Sequence, residues 1–151
     1  MNLRTPKTLV LALAVAGTLA GCAQWNQWMA GAPMMMVGQR VTLMGDKEVP
    51  PIPSGAASAS GVVMVAPDHS VSGAITTTGF AATAAHIHEG APGANGPVIV
   101  PMVKDGENRF VFPPGSKLTD AQYDAYKAGN LYVNVHSAAH PGGELRAQIG
   151  G

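Results

Sequence analysis

Leu131-Tyr132-Val133-Asn134-Val135-His136-Ser137 decides the fold. Its apolar residues fall at every second position, and side chains alternate between faces along a β-strand. Leu131, Val133 and Val135 therefore share one face, and Tyr132, Asn134 and His136 share the other. Ala85-His86-Ile87-His88-Glu89-Gly90 has the same period and sets His86 and His88 on the face opposite Ile87. If these two strands are neighbours, three imidazoles meet at one point.

The rest of the chain follows the same rhythm of short strands. Arg40–Met44 alternates and stops at Gly45, and Pro50, Pro51 and Pro53 make a loop that no sheet interior accepts. Ala57–Ala66 and Val71–Phe80 flank the turn Pro67-Asp68-His69-Ser70 as a hairpin, with a bulge expected at Gly61 and His69 read as a solvated turn residue. After the strand Ala84–Glu89, the loop 90–96 is Gly-rich, but no Lys-Ser/Thr or helix follows, so it is not a phosphate cradle. Pro97–Val103, Arg109–Phe112, Leu131–His136 and Glu144–Ile149 complete the strands.

One helix is predicted over Asp120–Ala128, with Thr119 and Gln122 as a capping box and Gly129 as the left-handed stop. Tyr123 and Tyr126 lie on one side of it and pack on the sheet. Seven or eight short strands, regular turns and one short helix predict an all-β sandwich or barrel.

The N-terminus of the 151-residue chain is of another kind. Arg4 and Lys7 precede the short apolar run 8–20, the pattern of a secretory signal rather than a membrane span. Leu19-Ala20-Gly21-Cys22 resembles the bacterial lipobox, in which the cysteine is lipidated as the first mature residue. Cys22 is the only cysteine, so no intramolecular disulfide is available. The expected organisation is a signal peptide over 1–21, a tether over 22–38 and one domain over 39–151. Ala23 at the position after the cysteine favours the outer membrane, facing the periplasm or the surface.

Beyond residue 21, seven basic residues stand against nine acidic ones, with no basic run. Nucleic acid and anionic lipid surfaces are poor partners for such a chain. Membrane attachment is expected through the lipid alone, and the sequence names no protein partner. Met34-Met35-Met36 in the tether reads as adaptable apolar contact before it reads as a copper ligand.

Ordered motifs then connect the chain to a family. Leu43-Met44-Gly45, Glu48-Val49-Pro50-Pro51, Gly61, His86-Ile87-His88-Glu89-Gly90, Gly93 and Gly96-Pro97-Val98 carry the first part. Leu118-Thr119, Gly129 to Ser137 and Pro141-Gly142-Gly143-Glu144-Leu145-Arg146 carry the second. Together they resemble the CHRD domain family, over roughly residues 40–150. The resemblance implies an immunoglobulin-like or superoxide-dismutase-like Greek-key β-sandwich and implies no particular activity. Ala147 stands where the family commonly has Gly. The family takes its name from repeats in chordin, whose growth-factor binding does not carry over to a single copy on a lipid anchor.

His86, His88 and His136 are the metal-ligand set to test, with copper as the first ion and zinc as the second. His140 is the next candidate ligand, and Met64 and Met102 are soft alternatives. The His-X-His strand is similar in kind to the copper site of Cu/Zn superoxide dismutase. That enzyme's zinc ligands and disulfide cysteines have no counterparts here, which argues against dismutase catalysis. The competing reading makes the same histidines core hydrogen-bonders, with Glu89 and Glu144 as acceptors and Arg146 bridging to either. No nucleophile elbow or paired acids mark a catalytic centre, and Ser137 points away from His136, so a non-enzymatic role is expected. A copper redox enzyme is the third reading and needs an open coordination position.

Overall fold

The computed structural model describes residues 38–151. The signal peptide, Cys22, the tether and its methionines lie outside the described residues.

The strands are β1 (Gln39–Leu43), β2 (Ser58–Val65), β3 (Val71–Thr78), β4 (Ala82–Glu89), β5 (Val98–Pro101), β6 (Val103–Lys104), β7 (Arg109–Val111), β8 (Leu131–Ser137) and β9 (Leu145–Ile149). They form two antiparallel sheets, ordered β1-β2-β3-β7-β6 and β5-β4-β8-β9. The inner faces close on one core, to which Ile75 and Phe110 come from the first sheet and Ile87, Val133, Val135 and Leu145 from the second. The all-β sandwich expected from the alternation is the fold observed.

Helix α1 (Asp120–Lys127) has both halves of its capping box, with Gln122 N–H donating to Thr119 Oγ1 and Thr119 N–H to Gln122 Oε1. Tyr123 and Tyr126 pack against the core, as their spacing predicts.

Three local expectations need correction. Pro97–Val103 is not one strand. It turns at the buried Met102, so that β5 pairs in one sheet and β6 in the other. A single chain segment thereby serves both layers. Gly61 is not at a bulge, since it pairs in register with Val41 and Ile75. It is glycine because a Cβ there would collide with the Ala74 carbonyl oxygen. His69 is in the turn, in the left-handed region at φ 68°, but it is not fully solvated. Its ring stacks on Tyr123 with centroids 4.2 Å apart and lies 3.3 Å from an Asp120 carboxylate oxygen.

Strand β8 explains where chemistry can sit. All seven of its residues are buried, including the outward-facing Tyr132, Asn134 and His136. The outer face of this sheet is thus covered, and the cover comes from loops. After β1, Met44 pairs with Arg146 through two backbone hydrogen bonds of 3.0 and 3.2 Å, docking the chain on the β9 edge. A 3-10 turn at Gly45–Lys47 then brings Glu48 over the sheet to Asn134.

Candidate metal centre

In the outer face of the second sheet, β4 and β8 are direct neighbours, and the register aligns His86 with Asn134 and His88 with Tyr132. His136 is opposite Ala84, two residues from His86 on the same face. The three imidazoles converge, and one nitrogen from each lies within 4.8 Å of the other two. His88 and His136 are buried and His86 is half-buried.

Two of the rings are held by backbone carbonyls. His88 Nδ1 lies 3.0 Å from Gly96 O, and His136 Nδ1 lies 3.1 Å from Pro141 O. A carbonyl oxygen only accepts, so both Nδ1 atoms carry the proton and donate. The neutral rings then present bare Nε2 lone pairs toward the cluster. His136 Nε2 meets His86 Nδ1 at 3.1 Å, with His86 donating. His88 Nε2 is buried and has no hydrogen-bond partner.

Electrostatics keep the rings neutral. Burial lowers the pKa of all three below the ordinary histidine value; neighbouring imidazoles push His86 further down, and His136 is pushed down by His88 against the opposing hydrogen bond to Pro141. For His88, burial is again the main cause, opposed by the hydrogen bond to Gly96 and assisted by Arg146. Neutral imidazole is the metal-binding form.

The alternation along the two strands places the three rings but does not show what orients them. The acceptors are the Gly96 and Pro141 carbonyls, not Glu89 or Glu144. Glu89 is exposed, and Glu144 accepts from Ser137 Oγ at 2.6 Å. Arg146 bridges to neither acid: its guanidinium donates to Ala91 O, Asn95 Oδ1 and Gln148 Oε1, tying the Gly-rich loop to β9. His140 is not part of the convergent group, its backbone instead closing the turn after β8 by bonds with Ser137 and Gly143. Met102 is in the core, on the side of the sheet away from the histidines, and Met64 lies on β2 in the opposite sheet. The signal for the supporting residues was present in the alternation, which set Tyr132 and Asn134 on the His136 face.

Three neutral nitrogens with two rings braced by carbonyls form a donor set that suits zinc or copper. Among the described residues no thiolate or carboxylate joins them. No curated protein and no solved structure matches the chain. The family model described as CHRD domain matches residues 39–149, most of the 151 residues, and the chain belongs to the CHRD domain family.

Proposed function

We propose that the protein binds a transition metal, copper first, through His86, His88 and His136, and serves in metal storage, delivery or tolerance at the cell envelope. The observation that carries this reading is His88 Nε2, a buried lone pair with no partner, in a cluster with the unprotonated His136 Nε2, whose contact is the His86 N–H. An unmatched buried polar atom costs about 1–3 kcal/mol, which a bound cation would recover. Histidines serving only as core hydrogen-bonders would not leave that atom orphaned. For a site of nitrogen donors the Irving–Williams order places copper above zinc.

His88 is ready to coordinate, and His136 becomes so once its Nε2 is released from the His86 N–H. His86 must first give up its hydrogen bond to His136, and as the half-buried member it has the most freedom to do so. Three protein ligands leave one coordination position for water or a small ligand. Anchoring through lipid on Cys22 would hold the domain at a membrane of the envelope, in keeping with the lipobox reading of the sequence.

The test is calorimetric titration of the purified chain with copper and with zinc, alongside the His86→Ala/His88→Ala double variant. One equivalent of metal, bound more tightly than about 1 μM and lost in the double variant, is the expected result. Equal binding by the double variant, or none by the parent, would leave the histidines as structural hydrogen-bonders.

A further inference from the structure

Beside the histidine cluster, the loops after β1 and β8 border an open cavity of about 290 Å³, lined by Glu48, Val49, Pro50, Ile52, His140 and Pro141 among others. This is close to the lower end of small-ligand pockets. Most of its wall is apolar, and Glu48 is the acidic group in it.

Glu48 is placed unusually for a carboxylate. It is 6% exposed, and its Oε1 accepts from Asn134 Nδ2 at 2.8 Å. Among the described residues no lysine or arginine nitrogen lies within ion-pair distance of it. Glu144, 7% exposed, is satisfied by Ser137 rather than by a cation. Arg146 is buried with them, but its donors are spent on the Gly-rich loop and Gln148. Two buried carboxyl groups therefore share one buried guanidinium that bonds neither. Buried charges are normally paired, and with Glu48 ionised this layer is one cation short.

A second unmet acceptor lies behind Glu48. Asn134 is 2% exposed, and its Oδ1 is buried without a partner. That oxygen and Glu48 Oε2 converge beside Gly143, where a built Cβ would stand 2.9 Å from the first and 2.6 Å from the second. Glu48 lines the cavity, and Asn134 stands behind it as the donor that holds the carboxylate in place.

We propose that this cavity binds a small organic ammonium ion, with Glu48, held by Asn134, as its anionic anchor, and Val49, Pro50, Ile52 and Pro141 taking the alkyl part. The ammonium group supplies the absent charge and hydrogen-bond donors together. A neutral alcohol of equal size supplies one donor and no charge, and a carboxylate is repelled by Glu48.

The experiment titrates n-butylammonium chloride into the ¹⁵N-labelled full chain and follows backbone amide shifts, with 1-butanol and sodium butyrate as controls. Saturable shifts confined to residues 48–53 and 139–143, with a Kd of about 1 mM or tighter, are expected. Glu48→Gln, which keeps an acceptor for Asn134, should weaken binding at least tenfold. Ala139→Trp, at the exposed rim, should do the same by filling the cavity, and it decides the matter if the Glu48 variant fails to fold. The His86→Ala/His88→Ala variant should bind butylammonium as the parent does, so loss of the metal reading leaves this site standing. No saturation by about 50 mM, equal binding of butanol, or less than tenfold weakening in the deciding variant overturns the proposal.

Discussion

His88 lies flat against Tyr132, with ring centroids 4.8 Å apart and planes 9° from parallel. From the β9 side, the Arg146 guanidinium carbon sits 3.4 Å from the same tyrosine centroid. The Tyr132 hydroxyl accepts from Gly96 N–H at 3.1 Å, and Gly96 O in turn accepts from His88 Nδ1. Tyr132 therefore fixes His88 twice, through its face and through the loop that holds the ring's proton. Tyr132→Phe keeps the stack and removes the hydroxyl. It should cost about 1 kcal/mol of stability and about tenfold in metal affinity. Denaturant unfolding and metal titration check the two separately. Unchanged affinity would mean that the stack alone orients His88.

The histidines should make the metal-free protein acid-sensitive. Their folded-state pKa values are lowered, chiefly by burial. The unfolded chain then takes up protons first, near pH 6.5, so the stability these rings contribute is present above that pH. It is lost as pH falls through the depressed folded values. In the Glu48→Gln variant, where that carboxyl does not titrate, unfolding midpoints measured from pH 8 down to 4 should drop below about pH 6.5, and saturating metal should raise them without moving that onset, which the unfolded chain sets. A midpoint of that variant indifferent to acid would contradict the neutral, buried cluster.

Period two in two segments was enough to place three imidazoles on one sheet face, because a strand leaves a side chain only two directions. It could not show what covers that face. The cover comes from residues far apart in sequence: Glu48 on Asn134, Gly96 against Tyr132, and Pro141 on His136. Loop carbonyls carry no sequence signature, so Gly96 and Pro141 were not legible as the partners of His88 and His136. From side chains alone Glu89 and Glu144 are the better acceptors, because acceptor chemistry is visible in a side chain and invisible in a backbone. The β5–β6 division was hidden for a similar reason. Pro97–Val103 is evenly apolar, and only tertiary pairing shows that Met102 turns the chain from one sheet to the other.

Gly61 tests the core from the other sheet. It pairs with Val41 on one side and Ile75 on the other, and a side chain there meets the Ala74 carbonyl. Valine, usually favourable in a strand, should be damaging at this position. Gly61→Val is expected to cost at least about 2 kcal/mol by denaturant unfolding, since the colliding atom is backbone and cannot rotate away. A neutral or stabilised variant would show that β2 and β3 can separate without loss.

Glu48 should give a pH dependence of the opposite sign to the histidines. Burial raises its pKa from 4.5 to about 7, against the lowering effects of the Asn134 hydrogen bond and Arg146. The folded state therefore holds this proton more tightly than the unfolded chain does. Its contribution is fully present below pH 4.5 and is lost as pH rises through about 7. The full change amounts to about 3 kcal/mol. The histidines act over part of the same range, so the wild-type curve alone cannot separate the two effects. Glu48→Gln does so, because glutamine has no proton to lose and still accepts from Asn134. The stability of this variant minus that of the parent should rise between pH 4.5 and 7.5 and stay level outside that window. Ion-paired or hydrated, the carboxylate would cost nothing to ionise, and the difference curve would be flat or would fall.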